Sequence, residues 1–122
     1  VSLRFTIIMR KIETEMVNAV KAGRDWHCAN TSVDVTDHGI VVRLHGNKIA
    51  RLDTEAHVLW VTDAGWQTST TKSRLNALLQ GVTGGRASIY QKAYVWHLVR
   101  GLDATEAYTV EMDRNDEYAV SL

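Results

Sequence analysis

An α+β domain is the architecture this sequence predicts: a small antiparallel β-sheet of four to six strands packed by one short α-helix at about residues 70–80, with an N-terminal helix in addition. Three observations predict it. Residues 30–62 and 87–112 alternate apolar and polar side chains between closely spaced turn residues, which is the signature of hairpins. Helical spacing appears instead over residues 10–22 and again after Gly65. Finally, a chain of 122 residues, 45% hydrophobic and 23% charged, is long enough for one core but not two, so residues 1–122 form a single domain.

The elements follow in chain order. Val1 opens the sequence, with Met9 and Met16 as alternative starts, so residues 1–9 are expected to add nothing to the fold and residues 1–15 are expected as a disordered end. In residues 10–22, Ile12, Met16, Ala19 and Val20 share one narrow face and Gly23 is a C-terminal stop. Such a helix packs on the edge of a core or frays. Residues 30–36 place Thr31, Val33 and Val35 on one side and Asp34 and Thr36 on the other, a half-buried strand. Residues 40–53 form the clearest hairpin. A two-residue loop at Gly46-Asn47 would set Leu44 opposite Ile49 and Val42 opposite Arg51. Residues 57–62, apolar on both faces, make a central strand.

Beyond the 70–80 helix, Thr83-Gly84-Gly85 connects to residues 87–99. These split near Lys92-Ala93 into a hairpin facing Ile89 to Trp96 and Tyr90 to Val95. Residues 107–112 supply a last strand. The polar tail from Asp113, residues 113–122, is expected as a second disordered end. Trp60, Trp66 and Trp96 are expected to meet under the helix.

Fourteen basic and fourteen acidic residues cancel, so no global field directs the chain to nucleic acid or membrane. Basic residues gather in 1–24 and acidic ones in 102–118, which reads as two solvated ends. Cys28 is the single cysteine, which excludes an internal disulfide and suits a reducing compartment. No apolar run reaches the roughly 18 residues that span a bilayer. His27, His38, His45, His57 and His97 show no zinc-site spacing, and Cys28 beside His27 is no catalytic pair, because neighbours on a strand point to opposite faces. No motif requires a cofactor, a metal or a catalytic residue.

The densest chemistry lies in Gly65–Gly81, GWQTSTTKSRLNALLQG. Thr68, Ser69, Thr70 and Thr71 precede a helical pattern carrying Leu75, Leu78 and Leu79. One hydroxyl there serves as an N-cap, and four exceed what a cap requires. The helix start carries partial positive charge and free N–H donors, and Lys72 and Arg74 add full charges. Thr68, Thr70, Thr71, Lys72, Arg74 and Asn76, with His45 and Asn47 from the hairpin, are therefore the expected ligand-binding residues. The glycine framework of a phosphate loop is missing. Alternatively, Arg43, Lys48, Arg51 and Lys92 could hold nucleic-acid phosphates while Trp26, Tyr90, Tyr94 and Tyr108 stack on bases.

Leu44-His45-Gly46-Asn47, Ile49-Ala50, the run W-x-T-x-T-T-K-x-R-L-N from Trp66 to Asn76, Gln91-Lys92 and Trp96 together resemble a group of small tailed-bacteriophage and prophage proteins. The resemblance covers roughly residues 28–100. It implies a phage or prophage source and expression in the cytoplasm of a bacterial host, and brings no catalytic residue or cofactor with it. The expected function is that of a small phage accessory protein, a non-enzymatic binding module for a host or phage protein or a small anionic ligand, with nucleic-acid binding as the alternative.

Overall fold

A computed structural model describes residues 9–101 and 108–122. The expectation for residues 1–8 lies outside the described residues. The fold is α+β, as the periodicities predict. Helix α1 (Lys11–Ala22) leads into five consecutive strands, β1 (Trp26–Cys28), β2 (Thr31–Thr36), β3 (Gly39–Leu44), β4 (Asn47–Asp53) and β5 (Val58–Val61). Helix α2 (Ser69–Val82) follows, then β6 (Ala87–Lys92), β7 (Val95–Arg100), β8 (Tyr108–Glu111) and β9 (Tyr118–Ser121). The strands divide into two antiparallel sheets. The larger runs β1-β2-β3-β4-β5-β9 and the smaller β6-β7-β8.

Both helices lie against the inner face of the large sheet, α1 over β1 and β2, and α2 over β4 with its other flank on β6. Val33, Val42, Leu59 and Val61 from that sheet meet Met16, Val17 and Val20 of α1 and Leu75, Leu78 and Leu79 of α2 in one core. The small sheet adds Ile89, Trp96 and Leu98 to it. Gly81 brings the helices close, since a Cβ there would overlap the Val17 side chain. Gly23, in the left-handed conformation, ends α1 as its sequence position predicts.

Several expectations are corrected. The first hairpin turns at His45-Gly46, with φ of 52° and 79°, rather than at Gly46-Asn47. Leu44 therefore pairs with Asn47 and Val42 with Ala50, and a bulge between the two pairs leaves both Ile49 and Ala50 facing inward. The second hairpin turns at Ala93-Tyr94, so Ile89 faces Leu98, Tyr90 faces His97 and Gln91 faces Trp96. In both loops residues other than glycine adopt positive φ, which composition alone does not announce.

The three indoles do not meet. Trp96 is in the core, Trp60 lies on the outer sheet face under the Arg51 guanidinium at 4.7 Å, and Trp66 is exposed. Regular structure reaches towards both ends of the described residues, with α1 beginning at Lys11 and β9 running to Ser121. Glu13 is a buried anchor of α1, and β9 completes the large sheet beside β5 with Val120 buried. Within the tail, the Tyr118 hydroxyl accepts the Asp113 N–H at 2.7 Å, and Glu117 takes a forked hydrogen bond from Arg51.

Candidate functional site

The tip of the β3–β4 hairpin and the turn entering α2 lie side by side at one end of the large sheet. Between them opens a cleft of about 420 Å³. That volume lies within the range of about 300–1,000 Å³ usual for small-molecule sites. Leu44, Ile49 and Ala64 make its apolar surface, while His45, Asn47, Thr68, Thr70 and Thr71 bring polar groups and Trp66 an exposed ring.

The walls are built by local backbone chemistry. On one side the His45 N–H donates to the Asn30 carbonyl at 2.7 Å, fixing the hairpin tip against the β1–β2 turn. On the other, Asp63 organises the approach to α2. Its Oδ1 accepts the N–H groups of Gly65 at 2.6 Å and Asn115 at 2.9 Å, and its Oδ2 accepts the Gln67 amide at 3.0 Å. A buried carboxylate needs such donors to offset its desolvation. The Asp63 carbonyl then accepts the Trp66 N–H at 2.9 Å, closing a turn with Ala64 and Gly65 at φ of 55° and 88°. This turn ejects Trp66 to 63% exposure while Trp96 is 2% exposed. Thr68 is the N-cap of α2, its Oγ1 accepting the Thr71 N–H at 3.1 Å and lying 2.9 Å from the Thr71 hydroxyl.

The eight expected site residues divide into two sets. His45, Asn47, Thr68, Thr70 and Thr71 come together around the cleft. Lys72 is half-buried and outside its lining. Arg74 is corrected outright: it is 4% exposed and points into the core, where Nη1 donates to Glu13 Oε2 at 2.8 Å and Nε to Thr31 Oγ1 at 3.1 Å. Ser73 donates to the same Glu13 oxygen at 2.6 Å, and Glu13 Oε1 accepts the Arg10 N–H. Burial raises the Glu13 carboxyl, but these hydrogen bonds and the Arg74 charge outweigh it, and Glu13 sits below the usual carboxylate value of 4.5. Asn76 is also structural. Its side-chain amide donates to the Ile89 carbonyl at 2.9 Å and accepts the Ile89 N–H at 2.8 Å, capping the β6 edge as a neighbouring strand would.

Trp66, expected in the core, and Asp63, not singled out from the sequence, are the cleft residues that sequence reasoning missed. The Asp63-Ala64-Gly65 turn was the available signal, because a side chain directly after a tight turn is readily held away from the core.

The alternative nucleic-acid surface is differently arranged. Arg43 pairs with Asp34 at 3.4 Å, and Arg51 and Lys48 both reach Glu117. Tyr94 at the β6–β7 turn is 92% exposed, Tyr90 stacks on His97 at 4.9 Å, and Tyr108 packs beneath the Arg100 guanidinium. Among the described residues no group of His, Cys, Asp and Glu is placed to hold a metal ion. No helix among them is long and apolar enough to cross a membrane. Compared with known proteins, residues 9–118 match the family model described as Kyanoviridae Gp96 protein. Neither the curated proteins nor the solved structures gave a match.

Proposed function

The chain belongs to the Kyanoviridae Gp96 protein family, a bacteriophage family, and from that premise we propose that it is a small phage accessory protein acting as a non-enzymatic binding module. Its working surface is the cleft between the β3–β4 tip and the start of α2, which receives a small ligand or a side chain of a host or phage protein in the host cytoplasm. The observation that carries this reading is the combination of a ligand-sized cleft with an exposed indole at its wall. Beside the apolar wall of Leu44, Ile49 and Ala64, the indole offers a ligand a broad apolar face together with one N–H donor. The anionic form of the ligand would rely on the partial positive charge of the α2 N-terminus and on nearby Lys72, since Arg74 is committed to Glu13.

Nucleic-acid binding is the second reading, supported by the exposed rings of Tyr94 and Tyr108. The ion pairs of Arg43, Lys48 and Arg51 weigh against it, because a phosphate would have to displace Asp34 or Glu117. Capture from a bacterial host lysate separates the two readings, using the full chain, Trp66→Ala and Tyr94→Ala. The binding-module reading expects Trp66→Ala to lose the captured protein or small molecule and Tyr94→Ala to keep it. The opposite dependence, with capture of nucleic acid that falls steeply with added salt, would replace the first reading by the second.

A further inference from the structure

We infer that the Trp66 cleft takes a neutral, polyhydroxylated ligand: a sugar ring, or a short oligosaccharide with one ring stacked on the indole. This deepens the reading of the cleft as a binding site and rests on it. Charge is the first consideration. Among the described residues lining the cleft there is no lysine or arginine. Of the neighbouring cations, Arg74 is in the core with Glu13, Arg43 is beside Asp34, Lys48 and Arg51 are beside Glu117, and Lys72, next to Thr71 in sequence, is half-buried outside the lining. The one carboxylate in the wall, Asp63, is 1% exposed and held by three donors. A phosphate or sulfate entering here would have only the partial positive charge of the α2 N-terminus to set against the Asp63 carboxylate, with no full positive charge in the described lining.

The remaining groups suit hydroxyls. Asn47 and Thr70 carry uncharged polar groups that can both donate and accept, as a sugar hydroxyl does, and His45 adds an imidazole. Trp66 supplies a broad flat apolar plate, and the C–H-rich face of a pyranose is a flat apolar surface of comparable size. A peptide is less well served. β3 is paired along its length with β2 and β4, and β4 with β5 from Ala50 to Asp53, so an extended chain would find only the short stretch 47–49 at the tip to pair with. Past the hairpin tip a second depression of about 510 Å³ shares His45 and adds His27, Asn30 and Ser32, again with no lysine or arginine among its described lining. His45 thus lines both depressions.

The test is an NMR titration of the ¹⁵N-labelled full chain with maltotriose, cellotriose and tri-N-acetylchitotriose, and separately with inorganic phosphate. At least one trisaccharide is expected to shift the Trp66 indole N–H and the Asn47 and Thr70 amides saturably, with a Kd on the order of 1 mM. Trp66→Phe, which keeps a flat ring, should retain the response. Trp66→Ala should weaken it by about tenfold or more, while amides remote from the cleft keep their positions and so report an intact fold. Phosphate shifting these residues while the sugars do not would overturn the proposal in favour of an anion site, and the cleft would remain the binding surface. Silence towards all four probes would also overturn it. In that case Trp66-dependent capture from lysate decides separately whether the binding-module reading survives.

Discussion

Arg74 and Glu13 stand 61 residues apart in the chain and 2.8 Å apart in space. The pair ties α1 to α2, and through Thr31 to β2, so it acts as a fold constraint rather than a recognition group. Removing one partner strands the other charge in the interior, and Arg74→Met should cost roughly 3–5 kcal/mol by denaturant unfolding. Lys72→Ala, two residues away but outside the core, should stay within about 0.5 kcal/mol of the parent chain. The pH dependence follows from the lowered Glu13 carboxyl. A folded-state value below the unfolded one stabilises the fold fully above about pH 4.5, and that contribution is lost as pH falls through the folded value. The stability difference between the parent chain and Glu13→Gln should therefore shrink on acidification below about pH 4.5. Both residues were legible as core positions. Arg74 falls on the stripe Thr71, Arg74, Leu75, Leu78, and Glu13 on Glu13, Met16, Val17, Val20, each at spacings of 0, 3, 4 and 7. A charge was read as a surface group where its helical position marked it as buried.

At the scale of elements, α2 is the piece on which both core and cleft depend. Leu78 is fully buried beneath it, and Leu78→Ala should lower stability by roughly 2–5 kcal/mol. Of the four successive hydroxyls, only Thr68 caps the helix. Thr68→Ala should therefore cost about 1 kcal/mol, whereas Thr70→Ala, facing the cleft, should leave the melting temperature nearly unchanged. Comparing these two melts checks which hydroxyl is structural. Helix positions were readable because a 3.6-residue apolar period over twelve or fourteen residues is a long signal. The hairpin registers were less so. A turn needs positive φ at two positions, and His45 and Tyr94 take it without being glycine or asparagine, so the glycine-centred assignment slid by one residue. β1 and β9, of three and four residues, are too short to carry a period, and β9 owes its place to β5 and to Glu117 beneath Arg51.

For the whole molecule, the large sheet, two helices and small sheet share one core, while the cleft sits at the end where the hairpin tip and the α2 turn converge. The distribution of charge reinforces that division. Cations on the outer sheet face are paired with Asp34 and Glu117, and the buried arginine is paired with Glu13. The cleft is left with hydroxyls, an amide, an imidazole, an exposed indole and the buried, fully bonded Asp63 carboxylate. Trp66 should accordingly be dispensable for folding and necessary for binding: Trp66→Ala is expected to melt within about 0.5 kcal/mol of the parent chain, as for a surface substitution. The most direct test of the cleft as the working surface is protein-observed NMR mapping of a chemically mixed fragment library on the labelled full chain. Hits should cluster on the Trp66 indole and on the amides of His45, Asn47 and Thr70, and should vanish in Trp66→Ala. Hits clustering instead around Tyr94 and Tyr108, or persisting unchanged in Trp66→Ala, would contradict it.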